Sequence, residues 1–152
     1  MKKITIPLVL LAAFCLPMLS HAATPIPCST YSAYQDQVAK MVMHKDYVEA
    51  VSDFSASGGD ILNMTTEEMA YYGAALHDLS RDMKAMKHID PKVKAYHVAT
   101  YTLFGTLGEY LTDASTMGIV PAAMVYQEEM TKATDAFERE NAKLPTSCGT
   151  SA

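Results

Sequence analysis

Along four long stretches of this chain the apolar side chains recur at alternating spacings of three and four. One series runs Met69, Tyr72, Leu76, Leu79, Met83, Met86, and the next runs Tyr96, Thr100, Leu103, Leu107, Tyr110, Ala114, Met117. A later one is Ala123, Tyr126, Met130, Ala133, Phe137; the earliest is Tyr31, Tyr34, Val38, Met41, Val48, with a polar lapse at Lys45. An α-helix turns every 3.6 residues, so each series paints one stripe on one helix face, as in rods that cross at shallow angles. No stretch shows the strict two-residue alternation of a half-buried strand.

Punctuation residues set the boundaries. The first helix is expected over 29–54, stopped by Ser55-Ala56-Ser57-Gly58-Gly59. The second, over 65–88, opens with Thr65-Thr66-Glu67-Glu68, where Thr65 can take the Glu68 amide while the Glu68 side chain reaches back. The third, over 90–117, begins with Asp90 as cap and Pro91 in the first turn, and stops at Gly118. The fourth covers 121–143, with Pro121 near its start and Pro145 and Gly149 beyond its end. Short connections at 89–90 and 118–121 force neighbours to run antiparallel. The expected fold is all-α, an up-down-up-down four-helix bundle occupying residues 23–152 as one domain.

The amino terminus changes the setting. Lys2 and Lys3 precede an apolar stretch from Ile4 to Leu19, and Ser20-His21-Ala22 places small residues where a signal peptidase reads. Residues 1–22 therefore read as a cleaved secretory signal. The stretch is shorter than the roughly 20 residues of a membrane-spanning helix, and Pro7 and Pro17 interrupt it. The mature chain is expected in the periplasm, or secreted, with no transmembrane segment. Cleavage removes Cys15 and leaves Cys28 and Cys148, which in an oxidising compartment read as one disulfide. In a bundle of this order the two ends lie together, so the bridge would join the termini. Cleavage also removes Lys2 and Lys3 from a chain already at −5, and that acidity argues against nucleic acid.

Eleven methionines raise the possibility of soft-metal chemistry. Met41 and Met43 are two apart on a helix and point to opposite sides, whereas Met83 and Met86 share the apolar stripe and His88 lies off it. Methionine is a common filler of irregular cores, and core packing is the expected role. A haem site would call on His77 or His97, yet no Cys-x-x-Cys-His occurs, nor the Glu-x-x-His pairs of a di-iron bundle. A copper or haem carrier is the rival reading. The acidic pairs Asp78/Asp82 and Glu109/Asp113 are ordinary on solvated helix faces, and no phosphate loop or nucleophile elbow is present. The chain is therefore expected to be non-enzymatic, with no catalytic residue, metal ligand or cofactor.

Two surfaces are candidates for a protein partner or a second copy. From Ala95 to Gly108 the third helix carries no charge. With Tyr96, Leu103 and Tyr110 inward, His97, Val98, Tyr101, Phe104, Gly105 and Gly108 would form a partner face, unless residues 55–64 or 24–27 fold over it. Gly105 and Gly108 each weaken a helix by about 1 kcal/mol against alanine, which suggests close approach of another backbone. The second candidate is a basic patch of Arg81, Lys84, Lys87, Lys92 and Lys94, of which the last two oppose the dipole of the helix they open. An immunity, secretion-accessory or envelope-chaperone role would suit such a protein.

Overall fold

The computed structural model describes residues 25–146; the expected signal over 1–22 and Cys148 of the expected disulfide lie outside them. Five α-helices follow in order: α1 Cys28–Val42, α2 Tyr47–Ala56, α3 Thr66–Lys84, α4 Lys94–Met117 and α5 Ile119–Asn141. A short 3-10 turn, Ile61–Asn63, precedes α3, and no strand occurs among the described residues. The all-α expectation holds, with five helices in place of four.

Each displaced boundary has a local cause. The first expected helix breaks where its apolar stripe lapsed: His44 takes a left-handed φ of 67°, and α2 starts three residues later. The Thr65 capping box forms, with Thr65 Oγ1 accepting from the Glu68 amide at 3.2 Å and Glu68 Oε2 accepting from the Thr65 amide at 2.8 Å. This α3 ends at Lys84 instead of 88, and His88 is again left-handed. Asp90-Pro91 then makes a turn instead of a helix start. Asp90 Oδ1 accepts from the Lys92 amide at 2.8 Å, the Val93 amide returns to the Asp90 carbonyl, and α4 opens four residues late, at Lys94. At the other end α5 starts at Ile119, two residues before Pro121.

Helix α4 is the centre of the assembly, packing closely along both α3 and α5. Rising numbers on one partner meet falling numbers on the other, as in Gly73 against Thr112 and Asp113 against Tyr126, so the three run antiparallel. Helix α2 also lies antiparallel along α3, from the Tyr47–Asp82 hydrogen bond (3.1 Å) to the Phe54–Tyr72 ring contact. Helix α1 does something different. It starts beside the end of α5, where the Ile26 amide donates to the Lys143 carbonyl (2.8 Å), and passes over α4 through Tyr31 and Tyr34. It ends next to the start of α2, where the Tyr47 hydroxyl donates to Met41 Sδ. The first rod is thus a brace over the terminal end plus a half-length strut.

Two apolar clusters fill the interior. At the terminal end Ile26, Tyr34, Val93, Tyr96, Ala99 and Phe137 are buried together. At the opposite end Met69, Leu76, Leu111, Ala114 and Ala122 are joined by Val51, Phe54, Ile61 and Ile119. Between them α3 and α4 meet at glycines. A Cβ on Gly108 would stand 2.8 Å from the His77 nitrogen and 2.9 Å from the Gly73 carbonyl oxygen, and one on Gly73 would stand 2.9 Å from the Gly108 oxygen. Such distances leave no room for any side chain, so the two backbones touch directly.

Buried His97 ties three helices at the terminal end. Its Nδ1 lies 3.1 Å from the Tyr34 hydroxyl on α1, and its ring also makes a hydrogen bond to the Met83 backbone on α3. Burial holds its pKa below the ordinary 6.5, because the site stabilises the neutral ring. With a depressed folded-state value, stability is complete above 6.5 and declines as the pH falls through it toward the lower folded value, because the unfolded chain takes up the proton first. Urea unfolding should show its midpoint falling across this window in the wild type and falling less steeply in His97→Gln; parallel profiles would remove His97 as the titrating tie.

Candidate functional site: the corner between α4 and α5

The expected partner face does not form a single open surface. His97 and Gly108 are buried, and Phe104 packs into the cluster around Leu76 and Leu111. A Cβ on Gly105 would stand 2.8 Å from Ser80 Oγ, and that hydroxyl donates to the Tyr101 carbonyl at 2.6 Å. Helix α3 is therefore the backbone that the glycines admit, while Ile26 shares a cluster with Ala99, and Ile61 and Met64 share one with Phe104. Of the six residues only Val98 stands exposed. It lies on a shallow groove of about 790 Å³ between α4 and α5, floored by Ala95, Ala99, Ala133 and Ala136. Most of the uncharged stretch over 95–108 is covered by neighbouring helices, and Ala95, Val98 and Thr102 are the positions left exposed along the groove.

The basic residues do gather at the terminal end, on either side of the α3–α4 connection. Arg81 is neutralised by Asp78 (2.7 Å) and Asp82 (3.5 Å). Lys84, Lys87, Lys92 and Lys94 are exposed and make no ion pair among the described residues. Lys92 precedes α4 instead of opening it, so only Lys94 faces the helix dipole. Asp82 also accepts from Lys45 Nζ at 2.9 Å, and this bond, helped by the Tyr47 hydroxyl, holds its carboxyl below the usual range. The acid that thins the basic patch is thus the post to which the start of α2 is fastened.

The methionine and histidine motifs divide between core and surface. Met83 is fully buried, Met86 half-buried and His88 exposed. Met41 is half-buried beside Tyr47, and Met43 is exposed. His77 sits exposed in a second groove with Asp78, Glu109, Asp113 and Tyr126. Among the described residues no three of His, Cys, Asp and Glu converge as metal ligands would, and no helix is long and apolar enough to cross a membrane.

The largest departure from the sequence reading is at the far end. Helix α4 stops at Gly118, with φ 92° and ψ 157°, and α5 begins at the next residue. That conformation is essentially restricted to glycine, and an L side chain there costs about 1–3 kcal/mol. One residue thus ends one helix and starts the next; its carbonyl accepts from the Ala122 amide at 3.2 Å. Pro121 falls in the first turn, where a missing N–H leaves no helical bond unmade. Ile119 and Ala122 turn inward onto Ala114 and Ile61. Helical geometry then turns Val120 and Met124 away from the core.

These two residues are 71% and 77% exposed, Val125 is 62% and Met117 is 45%. Leu62, 80% exposed on the turn that packs at the same end, adds to them. A corner with no loop leaves no chain to cover these side chains. The charged residues nearest to them along the chain are acidic. Asp113 lies one turn before Met117, and Glu128 and Glu129 one turn after Met124 and Val125. The Tyr126 hydroxyl donates to Asp113 Oδ2 at 2.9 Å; this bond, then burial and the fields of Asp113, Glu109 and Glu129, push its pKa up to about 12. Of the expected stripe, Tyr126, Met130, Ala133 and Phe137 lie on the inward side, and only its first position is displaced, since Ala122 is buried and Ala123 exposed. Reading the stripe from Ile119 and Ala122 would have left Val120, Met124 and Val125 outside. Comparisons with protein-family models, with curated proteins and with solved structures return no match.

Proposed function

We propose that this chain is an exported, non-enzymatic binding protein of the periplasm that engages a protein partner through the α4–α5 corner. The observation that carries the reading is the cluster of exposed apolar side chains at Met117, Val120, Met124 and Val125 on a corner built without a loop. Scattered surface apolar residues are ordinary, but a contiguous group on rigid backbone is the usual mark of a contact surface. Rigidity matters energetically, since a surface already ordered loses little entropy on binding.

The same reading has residues 1–22 removed and Cys28 joined to Cys148. Cys28 stands at the first turn of α1. The Ile26–Lys143 hydrogen bond, two residues from Cys28 and five before Cys148 in sequence, sets residues 26 and 143 side by side, which supports a bridge between the two cysteines. A link over this span lowers denatured-state entropy by roughly 4–5 kcal/mol in the chain model. Intact mass of the exported protein should correspond to a chain starting at Ala23, with no thiol alkylated until a reductant is added and two thereafter. A retained leader or free thiols would reject this processing scheme.

The binding claim is tested with Val120→Glu plus Met124→Glu, compared with Val98→Glu on the α4–α5 groove. All three sites are exposed, so stability should change by no more than about 0.5 kcal/mol. Association with envelope proteins, read by cross-linking from residue 124 in the wild type and by pull-down in the variants, should be lost in the corner variant and kept in Val98→Glu. Equal retention in both would sink the corner as the contact surface.

A further inference from the structure

Charge in this protein is segregated along its length. Residues 46–80 and 95–131 contain no lysine or arginine and hold most of the 17 acidic residues. These two stretches build α2, the 3-10 turn, most of α3 and α4, and the first half of α5, so the corner half of the molecule is anionic throughout. The nearest cation along α5 is Lys132, already paired with Glu128. Asp60 lies two residues from Leu62, and Glu67 and Glu68 open α3 at this same end. The basic residues stand at the terminal end and on the second half of α5.

We propose that the partner surface covering the corner is cationic and amphipathic: a helix or strand of a basic protein that sets apolar side chains on Val120, Met124 and Met117 and surrounds them with lysine or arginine. This rests on the corner being the contact surface and deepens it by naming the partner's chemistry. Complementary rim charges steer encounter and reject wrong partners, while the apolar centre supplies affinity. The same charges argue against the other occupants. An anionic lipid surface would be repelled by Asp60, Glu67, Glu128 and Glu129. A second copy docked corner to corner by a two-fold axis would set these acids against themselves. The opposite pole offers Lys84, Lys87, Lys92 and Lys94, but joining pole to corner makes a head-to-tail contact that does not close and leads to open chains.

The probe is a synthetic amphipathic helix of leucine and lysine, with a leucine–glutamate counterpart and phosphatidylglycerol vesicles as comparisons, titrated against the mature protein by fluorescence anisotropy. Binding of the leucine–lysine helix should weaken at least ten-fold between low salt and about 0.15 M, where screening sets in within roughly 8 Å. It should weaken as much in Glu128→Gln with Glu129→Gln and Asp113→Asn, and also in Val120→Ser with Met124→Ser. Neutralising acids on the terminal half, Asp36→Asn with Glu138→Gln, should leave it unchanged. The proposal is overturned if the leucine–glutamate helix or the vesicles bind as tightly, if the protein instead associates with itself at low salt, or if the two neutralised sets lose binding equally. Should the corner acids prove irrelevant while Val120→Ser with Met124→Ser still abolishes binding, the cationic partner fails and the corner survives. Should the serine variant bind as the wild type does, the corner itself fails.

Discussion

The α3–α4 seam is the constraint on which the remaining structure depends. Gly73 and Gly108 let the two backbones meet with no side chain between them, and Gly105 does the same for Ser80. Two helices in such contact act as one body, and the Ser80–Tyr101 hydrogen bond fixes their relative height. Once α4 is held this closely on one side, α5 can pack on another and the tyrosines of α1 can cross it at the terminal end. Glycine in a helix interior loses about 1 kcal/mol against alanine, so the seam must return more than that in packing. Direct backbone contact, with few voids and many dispersion contacts, is a sufficient source.

Enclosing α4 has a functional consequence. Most of the long uncharged stretch that looks like an interface in one dimension is covered inside the molecule, and the most exposed apolar side chains lie elsewhere, on and beside the turn from α4 to α5. Gly118 makes that turn without a loop, and a loop is what would ordinarily have covered Val120 and Met124. Terminal and corner ends are then chemically distinct. One is knitted by His97, Asp82 and a buried Glu140. Burial would raise the Glu140 carboxyl, but hydrogen bonds from Lys143 (2.6 Å) and Arg139 more than offset it and hold it below the usual range. The other end is apolar at its centre and acidic around it.

How much of this could be read from residue order differs by element. Helical periodicity located the long α3, α4 and α5, because a stripe on one face is a property of local order alone. The Thr65–Glu68 capping box was legible for the same reason. The break in the first helix was also visible, as a single lysine in an apolar stripe. Its meaning was not, since whether a helix tolerates a polar residue depends on what it faces, and here Lys45 turns to Asp82, a residue far away in sequence. Asp90-Pro91 carries the same signals for a turn as for a helix start, and only the packing of Val93 and Tyr96 decides between them. The misplaced partner face has one physical origin: a stripe count assumes that a helix has a single buried side, whereas α4 is buried on several. Glycines at Gly73, Gly105 and Gly108 were the available clue, since three in two neighbouring helices fit one another better than they fit an outside partner.

The seam itself can be tested by one substitution whose two possible effects have opposite sign. Alanine at Gly108 improves helix propensity by about 1 kcal/mol. Its Cβ would also stand 2.8 Å from the His77 nitrogen and 2.9 Å from the Gly73 oxygen, both of them backbone atoms that cannot step aside. Urea unfolding of Gly108→Ala should show a net loss of about 1–3 kcal/mol, the usual range for overpacking. An unchanged or raised stability would mean that α3 and α4 do not touch there, and α4 could then no longer be the enclosed centre of the fold.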